Sequence, residues 1–280
     1  MLQKHARHTA MEGFTLIELS IVLIIIGLIV GAIFVGKDLM KAAEIKAQIS
    51  QFQKYTAAYN TFRSKFNSLP GDMLPTEALS YGFAARAGTV GQGDNNYLIE
   101  GGAAGSSIVA GEGALFWNDL STALLIDSTL IGHDCTANTG TCLASSAAVP
   151  VTSIVPACKL SDGCELIVYA SGGINYFSIY RLNVVTGVDN GGFIHGNGFG
   201  QTPTEAYGID KKIDDGLPLT GVVTITNGLT FDNSAPLPVT PAAPAPSVCV
   251  SNVPATGSYN TAGSANADTG ANCTIQVRIN

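Results

Sequence analysis

An α+β fold is predicted, a long N-terminal helix packed on an antiparallel sheet, and three observations carry it. Residues 14–36 form an apolar run in which Glu18 is the only ionisable side chain. Residues 37–66 then place Ile45, Ile49, Phe52, Tyr55, Tyr59, Phe62 and Phe66 at spacings of three or four, one stripe along a helix. Farther on, 165–169 and 176–182 are β-branched and aromatic runs around Ser171-Gly172-Gly173-Ile174-Asn175, the pattern of a β-hairpin.

The helix comes first. A polar leader, 1–13, ends at Gly13. The run 14–36 meets the length of about 20 apolar residues that spans a bilayer core. No proline occurs before Pro70, so the helical period continues through 37–66. At about 1.5 Å per residue, 14–66 would extend roughly 80 Å. Two plainer readings compete. A secretory signal peptide has a shorter apolar core, and although Val30-Gly31-Ala32 could pass as its cleavage site, the amphipathic continuation would go unexplained. A signal anchor would leave Glu18 as a tolerated charge.

The leader ending in Gly13, followed by Phe14-Thr15-Leu16-Ile17-Glu18 and the apolar run, resembles the N-terminus of type IV pilins and of type II secretion pseudopilins. Leu69-Pro70-Gly71-Asp72, and Gly111-Glu112 leading to Leu115-Phe116-Trp117-Asn118-Asp119-Leu120, resemble large prepilin-type proteins related to those pseudopilins. The resemblance implies a pilin-like fold and a structural rather than enzymatic role. A prepilin peptidase would cut after Gly13 and methylate the amine of Phe14. The helix would bundle with other pilin or pseudopilin subunits, delivered by an inner-membrane assembly platform. Glu18 would pair with the new amine of a neighbouring subunit and set the register between otherwise uniform apolar helices.

Charge and cysteines set the compartment. From Asn67 onward six basic residues face seventeen acidic ones, which argues against nucleic-acid binding by this region. The positive-inside rule does not favour a cytoplasmic N-terminus, because Lys37, Lys41 and Lys46 flank the far side of the run. All six cysteines follow the apolar run, which suits an oxidising compartment and places 37–280 outside the cytoplasm. Together with the resemblance, this implies a single-pass protein of a bacterial inner membrane, its C-terminal part periplasmic or displayed on a cell-surface filament. Six cysteines allow fifteen pairings; proximity and the low cost of closing short loops favour Cys135–Cys142, Cys158–Cys164 and Cys249–Cys273.

Residues 67–234 are expected to be the globular α+β part. Leu69-Pro70-Gly71-Asp72 stops the first helix. Residues 73–111 read mostly as loop, and Gly93-Asp94-Asn95-Asn96 as a turn, since Leu98 falls where a Ca²⁺ loop would offer oxygen. A second helix is expected over 112–126, with Trp117 as a core anchor. Phe193 to Gly200 is Gly-rich but lacks the strand-to-helix setting of a phosphate loop. Thr202-Pro203-Thr204-Glu205 opens a third helix that ends at Gly216. Asp210 and Asp214 lie one turn apart with Asp215 adjacent; together they could hold Ca²⁺, whereas Lys211 and Lys212 favour a solvated helix end. No other cofactor is expected. A strand at 222–226 precedes a Pro-rich linker, 235–246, of extended character. Residues 247–280 read as a stapled appendage whose alternating 274–279 could return as a strand.

No catalytic constellation is visible. His133 and His195 are the only histidines beyond the leader, neither has metal-ligand spacing to the cysteines, and no Cys-x-x-Cys or G-x-S-x-G occurs. The function that the resemblance implies is that of a filament subunit. The alternative is a membrane-tethered binding protein or adhesin that uses the Cys-rich tail for recognition.

Overall fold

The computed structural model describes residues 15–86, 88, 91–100, 111–127, 130, 151–160, 163–181, 184–186, 193–195, 200–226, 249–251, 257–261 and 273–279. Helix α1 (Leu16–Phe66) is continuous over 51 residues. The chain divides into two compact units, Met1–Ala43 and Glu44–Asn280. In the first, the apolar side chains of α1 are exposed along the run from Leu16 to Met40.

The second unit holds the remainder of α1, then α2 (Pro75–Tyr81), α3 (Gly111–Thr122), β1 (Glu165–Ser171), β2 (Ile174–Tyr180), β3 (Val184–Thr186), β4 (Phe193–His195), α4 (Pro203–Ile213), β5 (Val223–Thr226), β6 (Val250–Ser251), β7 (Ser258–Tyr259) and β8 (Thr274–Arg278). Four strands make the main sheet, in the order β1-β2-β8-β5, with every pairing antiparallel. The pairs β3–β4 and β6–β7 stand as separate two-stranded ladders.

Register explains how the helix meets the sheet. Val168, Phe177, Val277 and Val223 are successive cross-strand partners, so they form one row on one face. The Phe177 ring lies 6.3 Å from Phe52 and 6.5 Å from Tyr55, which puts α1 over that row. Trp117 from α3 completes the layer, 4.9 Å from Tyr55 edge-on and 6.0 Å from Phe177. Phe62 continues the stripe against Phe83 at 5.4 Å. The periodic stripe is buried as expected, except that Ile49 and Phe66 sit half-buried at its margins and Gln48, Gln51 and Ala58 join it.

Several expectations need correction. Residues 73–111 are mostly loop where described, as expected, but they also hold helix α2, whose Pro75 at the first helical position and left-handed Gly82 just past the end are the asymmetric signals of a short helix. Helix α3 stops at Thr122 rather than 126, because Leu124 turns left-handed (φ 58°). The Leu125 N–H then bonds the Leu120 carbonyl and the Leu124 N–H that of Ser121, a Schellman end. The second hairpin strand ends at Tyr180, and Phe193–His195, read as part of a glycine-rich loop, pairs with β3. The final strand is no appendage: β8 lies between β2 and β5, in the interior of the sheet. Its backbone groups are paired by β2 along one edge and by β5 along the other, an arrangement that local sequence does not reveal. The Pro-rich stretch 235–246 lies outside the described residues.

Edge strand β1 is buried along its whole length. Its outer side is covered by neighbouring segments: the Leu166 N–H bonds the Pro156 carbonyl (2.8 Å), and Ala170 bonds that of Ile99 (2.6 Å). Covering an edge in this way removes a template for unwanted strand pairing.

Trp117 is fully buried between helix and sheet, and its indole N–H has no acceptor among the described residues. Its contribution is therefore packing. Trp117→Ala is expected to cost about 3–5 kcal/mol and Trp117→Phe markedly less, measured by denaturant unfolding of the purified chain in detergent. Equal losses for the two variants would show that a polar contact of the indole matters instead.

Candidate functional site

Glu18 occupies the third position of α1, and Thr15 stands just before the first. The Thr15 hydroxyl accepts from the Glu18 N–H (3.3 Å), while the Glu18 carboxylate accepts from the Thr15 N–H (2.8 Å) and hydroxyl (2.7 Å). This is a reciprocal capping box. An acid in the first turn also faces the positive end of the helix dipole. The signal Thr-x-x-Glu before an apolar run was present in the sequence and gives Glu18 a local role beside any role in assembly. Gly13 and Phe14 lie outside the described residues. Beyond the cap, α1 is long and apolar enough to cross a membrane, and its most apolar window is wholly unburied.

Two of the expected cysteine pairs are present. Cys158 and Cys164 are disulfide-bonded with Cα atoms 5.4 Å apart, and Cys249 and Cys273 likewise at 5.2 Å. Cys135 and Cys142 lie outside the described residues. The small loop closed by Cys158–Cys164 is gripped by α1: the Gln51 amide donates to the Ala157 carbonyl (2.8 Å), and the Gln48 side chain accepts from the Lys159 N–H (2.7 Å). The larger loop ties β6 to the start of β8, where Gln201 bridges. The Gln201 amide donates to the Ile179 carbonyl (3.1 Å), and its oxygen accepts from the Ile275 N–H (3.0 Å).

Asp210, Asp214 and Asp215 do converge, each with an oxygen within 4.8 Å of the others, a spacing one hard cation could bridge. Each is also committed to loop structure. Asp210 accepts from the Tyr259 hydroxyl (2.7 Å) and the Gly216 N–H (3.1 Å), Asp214 from the N–H groups of Val222 and Val223, and Asp215 from Leu217 (2.8 Å) and Thr220 (2.7 Å). Burial pushes Asp210 up to about 6 against those donors.

A second carboxylate group was missed in the sequence. Asp72, Asp94 and Glu112 also bring oxygens within 4.8 Å of one another. Asp72 accepts from the N–H groups of Asn96 (3.2 Å) and Tyr97 (2.7 Å), and Glu112 from those of Gly93 (2.8 Å) and Glu100 (2.9 Å). Next to them Arg86 makes a buried two-pronged pair with Asp119 (3.0 and 2.8 Å), and the Gly71 N–H donates to the same carboxylate (2.7 Å). Gly71 has φ 88°, and a Cβ there would run into the Glu112 carbonyl, so glycine is required. Leu-Pro-Gly-Asp and Gly-Glu thus meet in space, holding the end of α1, loop 91–100 and α3 together. Burial, reinforced by Asp94, pushes Asp72 up to about 7; burial, reinforced by Asp72, raises Glu112 well above the carboxylate range.

No family model matches the chain, and neither a curated protein nor a solved structure is similar to it.

The raised carboxyl groups fix the sign of a pH effect. Asp72, Asp210 and Glu112 bind protons more tightly folded than unfolded, so their contribution is fully present below about pH 4; that of Asp210 is lost as pH rises through about 6 and that of Asp72 through about 7, and Glu112 acts in the same direction. The denaturant midpoint of the purified chain should be higher at pH 5 than at pH 8. A midpoint that rises over this interval would show that these carboxylates are ionised and compensated in the folded state.

Proposed function

We propose that this chain is a structural subunit of a type IV pilus-like filament or type II secretion pseudopilus, made in the inner membrane with its larger unit in the periplasm. The observation that carries this reading is the junction Gly13-Phe14 followed at once by Thr15 and Glu18 at the start of a single helix, apolar first and amphipathic after. A membrane span alone gives no reason for Glu18, because a carboxylate is costly in a spanning helix, less so near the interface. A helix cap alone gives only a small reason for glutamate rather than glutamine, which closes the same box, because the helix dipole adds about 0.3–1 kcal/mol. A charge that must pair with a cation supplied from outside the run accounts for both facts. Gly27 and Gly31, four residues apart, leave open space where side chains would project, which permits close approach of apolar helices within a bundle. The chain contributes no catalysis on this reading. Its partners are a prepilin peptidase, other subunits and an assembly platform.

Cap and charge separate by substitution. Glu18→Gln keeps the capping box and Glu18→Ala abolishes it, and both remove the charge. Both variants should insert and be processed, and both should fail to enter filaments in cells lacking the wild-type copy, read by immunoblot of sheared fractions. Normal incorporation of Glu18→Gln would reduce Glu18 to a helix cap and sink the pairing role.

Processing is tested separately. Peptide mass spectrometry of the assembled protein should find a methylated N-terminus at Phe14, and Gly13→Leu should leave the leader attached while the protein still inserts. An N-terminus at Ile33, or an intact leader in assembled material, would overturn the reading.

A further inference from the structure

Two features of the second unit are complementary and are built from different residues. The first is a cleft of about 510 Å³ beside α1, floored by Ile49, Ile213 and Val222 and rimmed by Lys212 and Arg278. Among the described residues no acidic one lines it, although the chain from Asn67 onward is strongly acidic. Lys212 and Arg278 are exposed, and among the described residues neither makes an ion pair. The floor residues are half-buried, so the cleft presents apolar surface to solvent.

The second feature is the outer side of α2. Leu79 is 61 % and Tyr81 55 % exposed, two of only four large apolar side chains so exposed among the described residues of this unit. Glu77, on the same short helix, is exposed and makes no ion pair among the described residues. Their exposure is not for lack of packing nearby: Ala78 between them is fully buried, and Phe83 just beyond is buried against Phe62 and Phe66. The helix is therefore held firmly while Leu79 and Tyr81 project.

We infer that the Lys212–Arg278 cleft of one copy receives the Glu77–Leu79–Tyr81 side of α2 from a second copy of this chain. The inference rests on the filament reading and names the contact that its outer units make. Apolar side chains meet an apolar floor, and an unpaired acid meets two unpaired cations, in a domain whose net charge otherwise repels its own copies. The two surfaces are also offset. Tyr81 packs on Phe66, at 5.1 Å, whereas the cleft follows α1 from Ile49 to Asn60. At about 1.5 Å per residue, the offset along the helix is roughly 9–25 Å. A contact between unlike, offset patches is head-to-tail, and such contacts propagate as a filament unless rotation closes them into a ring.

The test uses the full chain in cells. Tyr81→benzoylphenylalanine places a photo-cross-linker on the projecting side, and cross-linked peptides are mapped by mass spectrometry. The expected products join position 81 to 49–60, 212–222 or 277–278 of another copy. The double variant Lys212→Glu/Arg278→Glu should lower their yield roughly tenfold, and adding Glu77→Lys should restore it. An unchanged unfolding midpoint serves as the folding control. Cross-links confined to other surfaces or other proteins, or a yield indifferent to these charges, overturn the inference. Filaments that form while position 81 cross-links elsewhere leave the filament reading standing without this contact. Copies that cross-link as expected without entering filaments preserve the contact and remove the filament reading, and absence of both removes both.

Discussion

The structure of the larger unit depends on one packing event, the burial of the aromatic stripe of α1 on the sheet. Phe52, Tyr55, Tyr59 and Phe62 are all buried; the first three meet Phe177 from β2 and Phe116 and Trp117 from α3, and Phe62 meets Phe83. Large aromatic side chains dominate such layers because each removes much apolar area from water and adds edge-on ring contacts. Without α1 the row Val168, Phe177, Val277 and Val223 would face solvent.

Around this layer, buried polar groups decide how the loops attach. Arg86 and Asp119 are both fully buried, and their pairing is tolerated because Gly71 and Ala84 supply further hydrogen bonds to the same groups. Breaking such a pair would strand a charge in the interior. Gln48 and Gln51 act as side-chain analogues of a strand, reading the N–H of residue 159 and the carbonyl of residue 157. Glutamine at these stripe positions is thus a connector between α1 and the loop closed by Cys158–Cys164. A period-based reading passes over it, because it scores the residue as polar.

The first part of α1 obeys a different constraint. Its apolar side chains are exposed from Leu16 to Met40. Thr15 and Glu18 begin the helix by satisfying two of its otherwise orphan N–H groups. The same carboxylate that caps the helix is the only charge in the run, so local folding and any pairing between subunits draw on one side chain.

Much of this was legible in the sequence because its signals are local. The apolar run, the stripe at three and four, the Gly172-Gly173 hairpin and the Thr202–Glu205 cap each depend on residues a few positions apart. The short helix α2 was equally local and was missed only because two turns of helix carry little periodic signal beside a glycine-rich stretch. Other features were decided by tertiary structure alone. The place of β8 inside the sheet, the meeting of Asp72 with Glu112, and the pairing of Arg86 with Asp119 join residues far apart in the chain. No periodicity or cap encodes such encounters. Each exists because burying the α1 stripe leaves strand edges, backbone groups and charges that only distant segments can satisfy.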